Sequence, residues 1–362
     1  MSLLIFLIVL GVLIIVHEWG HFMAARFLGI GVEKFSIGFG PKLFSRHHKG
    51  TDFMVSAIPL GGYVKLAGDE RSACTGRADE FYSRPVGHRA LVVMMGPVVN
   101  FIFAYLCFYL ILVTGFPMAA TTVGKVMDDY PAQEAGLLEG DRITKIDGEP
   151  VQYWEDLQSA VNRSQGQPLQ FTVARGDGTR VLRIEPRQTT IKNIFGKEMP
   201  RALIGVQPGE DVIFARYGIF ESFGRALAEM VQIITMTLTA LFHVFAGSLP
   251  AKDALAGPVR IFDVVKQAAE MGFAYLTYIT AVISTSLGLF NLFPIPVLDG
   301  GHLLFFGIEK IRRRPLPEKV EEGFVKAGFG LLMLLMVFVF YNDIVEVGWI
   351  DQARQFIGRF TQ

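Results

Sequence analysis

The chain has 362 residues, 51% of them hydrophobic, and a mean hydropathy of +0.39. That is too apolar for an ordinary soluble domain and points to a membrane protein. Its 34 basic and 34 acidic residues cancel, which argues against nucleic-acid binding. The two cysteines, Cys74 in a polar loop and Cys107 in an apolar run, are not expected to pair.

Residues 1–30 read as a first transmembrane helix. The apolar run has no basic segment before it and continues into a polar cluster, so it reads as a retained span rather than a cleaved signal peptide. The cluster is His17-Glu18-Trp19-Gly20-His21. On a helix, His17 and His21 share a face one turn apart and can bind one Zn²⁺, and Glu18 can act as general base toward an activated water. Ionisable groups at membrane depth are costly, and this marks the cluster as functional. The plain alternative is a pair of core histidines.

Residues 31–89 form a basic loop. Its segments 32–40 and 52–66 alternate and are rich in β-formers, and Gly61-Gly62 suits a turn or bulge, so a small membrane-associated β-hairpin is expected. Residues 90–115 read as the second span. Residues 116–207 turn polar, with short β-rich runs, and resemble a PDZ domain of the bacterial type. There a short helix and the Gly140-Asp141 turn precede an Asp147-Gly148 hairpin; a helix at 154–162 and strands at 169–175 and 179–186 follow, the strands joined through Asp177-Gly178. Such domains bind extended peptides by strand addition.

Residues 208–272 are ambiguous. Segment 220–246 is apolar but carries Arg225, Glu229, Gln232 and His243. The basic loop 31–89 and the triplet Arg312-Arg313-Arg314 both belong in the cytoplasm by the positive-inside rule, which four spans satisfy and a fifth at 220–246 does not. The segment therefore reads as interfacial or re-entrant. Residues 273–310 form a third span, broken at Asn291-Leu292-Phe293-Pro294-Ile295-Pro296, and broken backbone at membrane depth belongs beside a cavity. Residues 311–362 supply a cytoplasmic loop, a fourth span and a C-terminal tail.

A catalytic zinc site usually has three protein ligands. Asp299, in Leu298-Asp299-Gly300, is the candidate for the third, because a carboxylate at membrane depth needs a partner. It could instead cap the helix that resumes at Gly301. His47 and His48 read as solvated, and His302 as packing or hydrogen-bonding locally, with support of the metal ligands as the alternative.

His17-Glu18-Trp19-Gly20-His21, Gly38-Phe39-Gly40, one PDZ-like domain and the segment from Asn291 to Gly300 occur in that order. Together they resemble the site-2 protease family of intramembrane zinc metalloproteases, of the bacterial regulator of sigma-E protease type. The resemblance covers nearly the whole chain, with one departure: a single PDZ-like domain where the best-known type has two in tandem. It implies an α-helical membrane protein of about four transmembrane helices, with a membrane-associated β-loop and an inserted α+β PDZ domain.

By that resemblance, His17, His21 and Asp299 would bind Zn²⁺ and Glu18 would be the general base. Asn291 would hydrogen-bond the substrate backbone or the developing oxyanion, although it could simply satisfy backbone groups freed by Pro294 and Pro296. Gly38, Phe39 and Gly40, with Pro294 and Pro296, would handle substrate, and 220–246 would help form a gate. The implied activity is peptide hydrolysis within single-span proteins in a bacterial cytoplasmic membrane, for example anti-sigma factors or remnant signal peptides. The active site would lie near the cytoplasmic side and the PDZ domain outside, in the periplasm of a Gram-negative cell. The partners are then the lipid bilayer, the substrate span, and a peptide or outer substrate segment at the PDZ domain. The competing readings are a non-catalytic membrane PDZ scaffold or receptor, and a zinc transporter.

Overall fold

A computed structural model describes residues 1–192, 198–254 and 256–346; the expected C-terminal tail beyond 346 lies outside the described residues. The chain divides into two units, one of residues 1–111, 220–241 and 250–362, the other of 112–219 and 242–249.

The first unit begins with α1 (Ser2–Phe27), which carries the His17–His21 cluster toward its C-terminal end. Strands β1 (Val32–His48) and β2 (Thr51–Leu66) follow. They do more than form a simple hairpin. Residues 34–37 pair on both sides, with 62–65 and with 52–55, while 44–48 close on 51–55. Among the described residues, 62–66 therefore form an outer strand with one side unpaired. Gly38 and Gly40 have positive φ, where a side chain would be strained, and let β1 change direction there. A loop then leads to α2 (Val86–Thr114), which contains Pro97. The Glu80 carboxylate organises this loop, accepting hydrogen bonds from the Thr75 hydroxyl at 2.6 Å and from the backbone N–H groups of Thr75, Gly76 and Arg77 at 2.8–3.0 Å.

The second unit is α+β. It contains β3 (Phe116–Ala119), β4 (Val123–Val126), α3 (Pro131–Glu134), β5 (Arg142–Ile146), β6 (Glu149–Pro150), α4 (Trp154–Arg163), β7 (Leu169–Arg175), β8 (Gly178–Ile184), β9 (Arg187–Lys192), β10 (Glu198–Leu203), β11 (Val206–Pro208) and β12 (Val212–Ala215). A four-stranded antiparallel sheet runs in the order β6-β5-β7-β8, and three strand pairs, β3–β12, β4–β11 and β9–β10, complete it. Alternation along β7 sends Leu169, Phe171 and Val173 inward onto Leu157 and Val161 of α4. Asp141 is buried, but Arg175 and the Leu138 N–H hold its carboxyl below the usual range. The tight turn between β7 and β8 is Gly176-Asp177, not Asp177-Gly178: Gly178 already pairs with Arg175, and the positive φ falls on Gly176.

The chain continues through α5 (Ile219–Phe245), α6 (Ala251–Ala254), α7 (Pro258–Met271), α8 (Phe273–Asn291), α9 (Asp299–Arg312) and α10 (Glu318–Glu346). Among the described residues, five helices have the length and apolarity to cross a bilayer: α1, α2, α5, α8 and α10. Segment 220–246, expected to be interfacial or re-entrant, forms one unbroken helix, α5. The break between α8 and α9 is a tight loop in which Ile295 N–H bonds the Phe293 carbonyl at 2.7 Å and Leu298 N–H the Ile295 carbonyl at 3.0 Å. Gly300 and Gly301 lie directly on this loop: a Cβ on either would collide with its backbone.

Candidate metal centre

Two helices deliver the three candidate ligands. On α1 the four-residue spacing stacks His17 and His21, their rings edge to face with centroids 4.8 Å apart. Asp299 enters from the first turn of α9. His17 Nε2 lies 3.1 Å from Asp299 Oδ2, His21 Nε2 3.6 Å from the same oxygen, and the two Nε2 atoms 3.2 Å from each other. Three donors around a tetrahedral ion with bonds of about 2.0–2.1 Å stand roughly 3.3–3.4 Å apart, so the triangle has the size a zinc ion requires. Asp299 Oδ2 is buried without a hydrogen-bond donor, an orphan that a cation would satisfy. The residues present fit a metal.

The capping alternative for Asp299 does not match this geometry. Leu298 occupies the N-cap position, no side chain caps the helix, and Asp299 aims at the histidines. Val297, just before, is a β-branched residue at φ +119°, an unfavourable conformation of the kind that clusters at functional sites.

A cavity of about 490 Å³ opens onto the triad. His17, Glu18, His21, Asn291 and Asp299 all line it. Tyr63, Val64 and Leu66 of the outer strand line it too, so an unpaired strand edge borders the metal-binding atoms. Gly38, Phe39, Gly40, Pro294 and Pro296 do not. Phe39 lies over Gly61 and stacks on Tyr63 at 6.1 Å, one residue removed from the cavity wall. Asn291 ends α8 and lines the cavity. His302, expected to pack or hydrogen-bond locally with support of the metal ligands as the alternative, lines the cavity.

The sequence reading missed the wall supplied by α2. His21 Nδ1 donates to the Val92 carbonyl at 2.9 Å, His17 Nδ1 faces the Asn100 amide at 3.1 Å, and Gly96 lies against both imidazoles, where a Cβ would overlap them. Residues 92, 96 and 100 are successive turns of one helix face. The available signal was Asn100 itself, a polar side chain inside an apolar span.

The sequence matches the model of peptidase family M50 over residues 5–335. The chain belongs to that family. It is 39% identical over 358 residues to a Brucella suis protein named "Putative zinc metalloprotease", covering 94% of each chain. It is 34% identical over 374 residues to metalloprotease MmpA of Caulobacter vibrioides, covering 93% of this chain and 94% of that one. It is 30% identical over 444 residues to the regulator of sigma-E protease RseP of Salmonella typhimurium, covering 94% and 98%. This family member is a multi-helix membrane peptidase with some β-structure.

Proposed function

We propose that this zinc metallopeptidase hydrolyses a peptide bond within the transmembrane segment of single-span proteins. The observation that carries the reading is the convergence of His17, His21 and Asp299 within 3.1–3.6 Å, beside Glu18, on a cavity inside apolar helices. Zinc, when bound, polarises the scissile carbonyl and lowers the pKa of a water to about 7. Glu18 takes the proton of the attacking water and returns it to the leaving amine. Asn291 donates to the substrate carbonyl or its developing oxyanion. A transmembrane substrate hides its carbonyls in helical hydrogen bonds and must unwind to react. The free edge at 62–66 can receive the unwound segment as an added strand, which satisfies its backbone and lays it along the cavity. Gly38, Phe39 and Gly40 shape the far side of this sheet, and Pro294 and Pro296 keep the opposite wall non-helical.

The membrane arrangement proposed has four spans: α1, α2, α8 and α10. Pairings between His21 and Val92 and between His17 and Asn100 make α1 and α2 antiparallel. The end of α8 leads to Asp299 at the C-terminal part of α1, and Phe6, Val9 and Leu13 of α1 pack with Leu276, Ile279, Ile283 and Leu287 of α8, so these two helices run the same way. The chain therefore leaves α2 and re-enters α8 on one side of the membrane. A single crossing by α5 is incompatible with that, and α6 and α7 are too short to supply a second. This supports an interfacial α5. With the basic 31–89 loop and Arg312–Arg314 inside, the second unit lies outside the cytoplasmic membrane. We read that unit as a PDZ domain. Its groove, lined by Trp154, Leu157 and Val161 of α4 and by 201–206, runs beside β10, which among the described residues pairs with β9 alone, so an outer substrate segment can add there.

The test uses the purified full chain in detergent with a tagged single-span substrate, with and without a zinc chelator, beside Glu18→Gln. Zinc-dependent cutting that the substitution abolishes supports the proposal. Cutting that persists in Glu18→Gln would sink it.

A further inference from the structure

A histidine that binds a metal through Nε2 must carry its proton on Nδ1, and that N–H usually needs an acceptor to hold the ring in tautomer and orientation. His21 has one, the Val92 carbonyl at 2.9 Å. His17 Nδ1 faces the amide of Asn100 at 3.1 Å, its one hydrogen-bonding partner among the described residues. Asn100 is fully buried, and its backbone carbonyl is pinned from α8 by the Ser284 hydroxyl at 2.9 Å. Its Nδ2 points at His17 Nδ1, while its Oδ1 is buried with no partner. In that orientation the amide donates to Nδ1, which places the His17 proton on Nε2, 3.2 Å from the acceptor His21 Nε2. That arrangement suits the metal-free centre. A half-turn of the amide exchanges the two atoms. Oδ1 then accepts from Nδ1–H, Nδ2 takes the position that Oδ1 held, and the Nε2 lone pair faces His21 Nε2 and Asp299 Oδ2.

Resting on the metal reading above, we propose that Asn100 is a positioning residue whose amide follows the His17 tautomer and holds Nε2 ready for zinc when Oδ1 accepts the Nδ1 proton. The rest of the α2 face fits the same task. Val92 does for His21 what Asn100 does for His17, and Gly96 between them clears space for both rings. One rigid helix thus aims both imidazoles, with no contact between Asn100 and the substrate required.

The experiment measures zinc affinity of the full-length protein in detergent by competition with a chelator, and the absorption spectrum after cobalt substitution. Asn100→Leu keeps the volume and removes the acceptor; Asn100→Asp keeps an acceptor. We expect Asn100→Leu to weaken zinc by about 10–100-fold. Asn100→Asp should bind at least as tightly as the unaltered protein and retain its cobalt spectrum. A residue that only packs would give the opposite order, because a buried carboxylate would harm the protein more than leucine. Should Asn100→Leu fail to fold, Asn100→Ala serves for the same comparison. Zinc affinity unchanged by loss of the acceptor, or equally lost in Asn100→Asp, overturns the assignment. His17→Ala separates the two levels. If His17→Ala binds zinc as well as the unaltered protein does, the metal reading itself falls. If zinc is lost in His17→Ala but kept in Asn100→Leu, only the role of Asn100 falls.

Discussion

At the scale of single residues, the proposed mechanism separates holding a metal from moving a proton. Glu18 lines the cavity but is not among the three converging ligands, so Glu18→Gln is expected to retain zinc while cleavage drops by about 10²–10⁴-fold, the usual worth of a general base. Zinc analysis of the purified variant beside a cleavage assay checks both halves. Asp299→Ala is expected to lose zinc and cleavage together. Gly96 makes a different demand. Its missing Cβ is the space in which the His21 and His17 rings lie, so Gly96→Ala forces the imidazoles or the α1–α2 contact to move. Overpacking of this kind costs about 1–3 kcal/mol, and here it should show as weaker zinc binding and a lower melting temperature. Zinc affinity equal to that of the unaltered protein would mean that the rings tolerate displacement. His17, Glu18 and His21 were legible because their relation is local, fixed by one turn of one helix. Asp299 was legible as a costly carboxylate at a helix break, with capping as a live alternative until its partners were seen. Val92, Gly96 and Asn100 were not, because no pattern within α2 states which of its faces meets α1.

At the scale of elements, two devices hold the frame around the site. Arg89, at the start of α2, is buried and makes a bidentate pair with Glu309 on α9 at 2.6 and 3.1 Å, while Arg71 approaches Glu309 and Glu321 and lies over the Tyr82 ring. Tyr82 and Phe306, against which these guanidinium groups pack, are cavity residues. Removing Arg89 takes the bidentate partner from Glu309 and leaves it the longer Arg71 contact at 3.6 Å, so Arg89→Met is expected to destabilise by less than the about 3–5 kcal/mol of a fully broken buried pair, and pairing it with Glu309→Leu should recover part of the loss. Thermal melting of the single and double variants in detergent decides it. The second device is Glu80. The hydrogen bond from Thr75, followed by those from Cys74, Gly76 and Arg77, lowers its carboxyl from 4.5 to about 2 against the opposing effect of burial. A depressed carboxyl stabilises the fold above its unfolded value, and that contribution is lost as pH falls from about 4.5 toward 2. Hydrogen exchange of residues 75–77 should accelerate across that window, and Glu80→Gln should remove the dependence. The sequence reading found the strands of 31–66 but not their arrangement. Period-two alternation marks a strand, whereas the double-sided pairing of 34–37 depends on how the chain returns after Gly61.

At the scale of the whole chain, the second unit has its own core and is joined through paired strands. Phe116 and Ala215 are cross-strand partners in the β3–β12 pair, so the points where the chain enters and leaves the unit stand about 5 Å apart. Its core residues, among them Phe171, Val173, Ile143 and Ile184, come from within the unit. Excising residues 120–211 and bridging the gap with a short flexible linker therefore asks little of α2 and α5, and the His17, His21 and Asp299 triangle, built wholly from the other unit, should keep its zinc. If the unit excludes substrates by the bulk of their outer part, the excised protein should cut single-span substrates that still carry a bulky outer domain, which the intact protein leaves whole, while cutting trimmed substrates at a similar rate. Comparing both substrates on both proteins distinguishes a filter from a recruiter. A recruiter would lose activity toward trimmed substrates on excision, through a raised KM. Resistance of untrimmed substrates that survives excision would place the selectivity within the membrane, at the 62–66 edge and the cavity beside it.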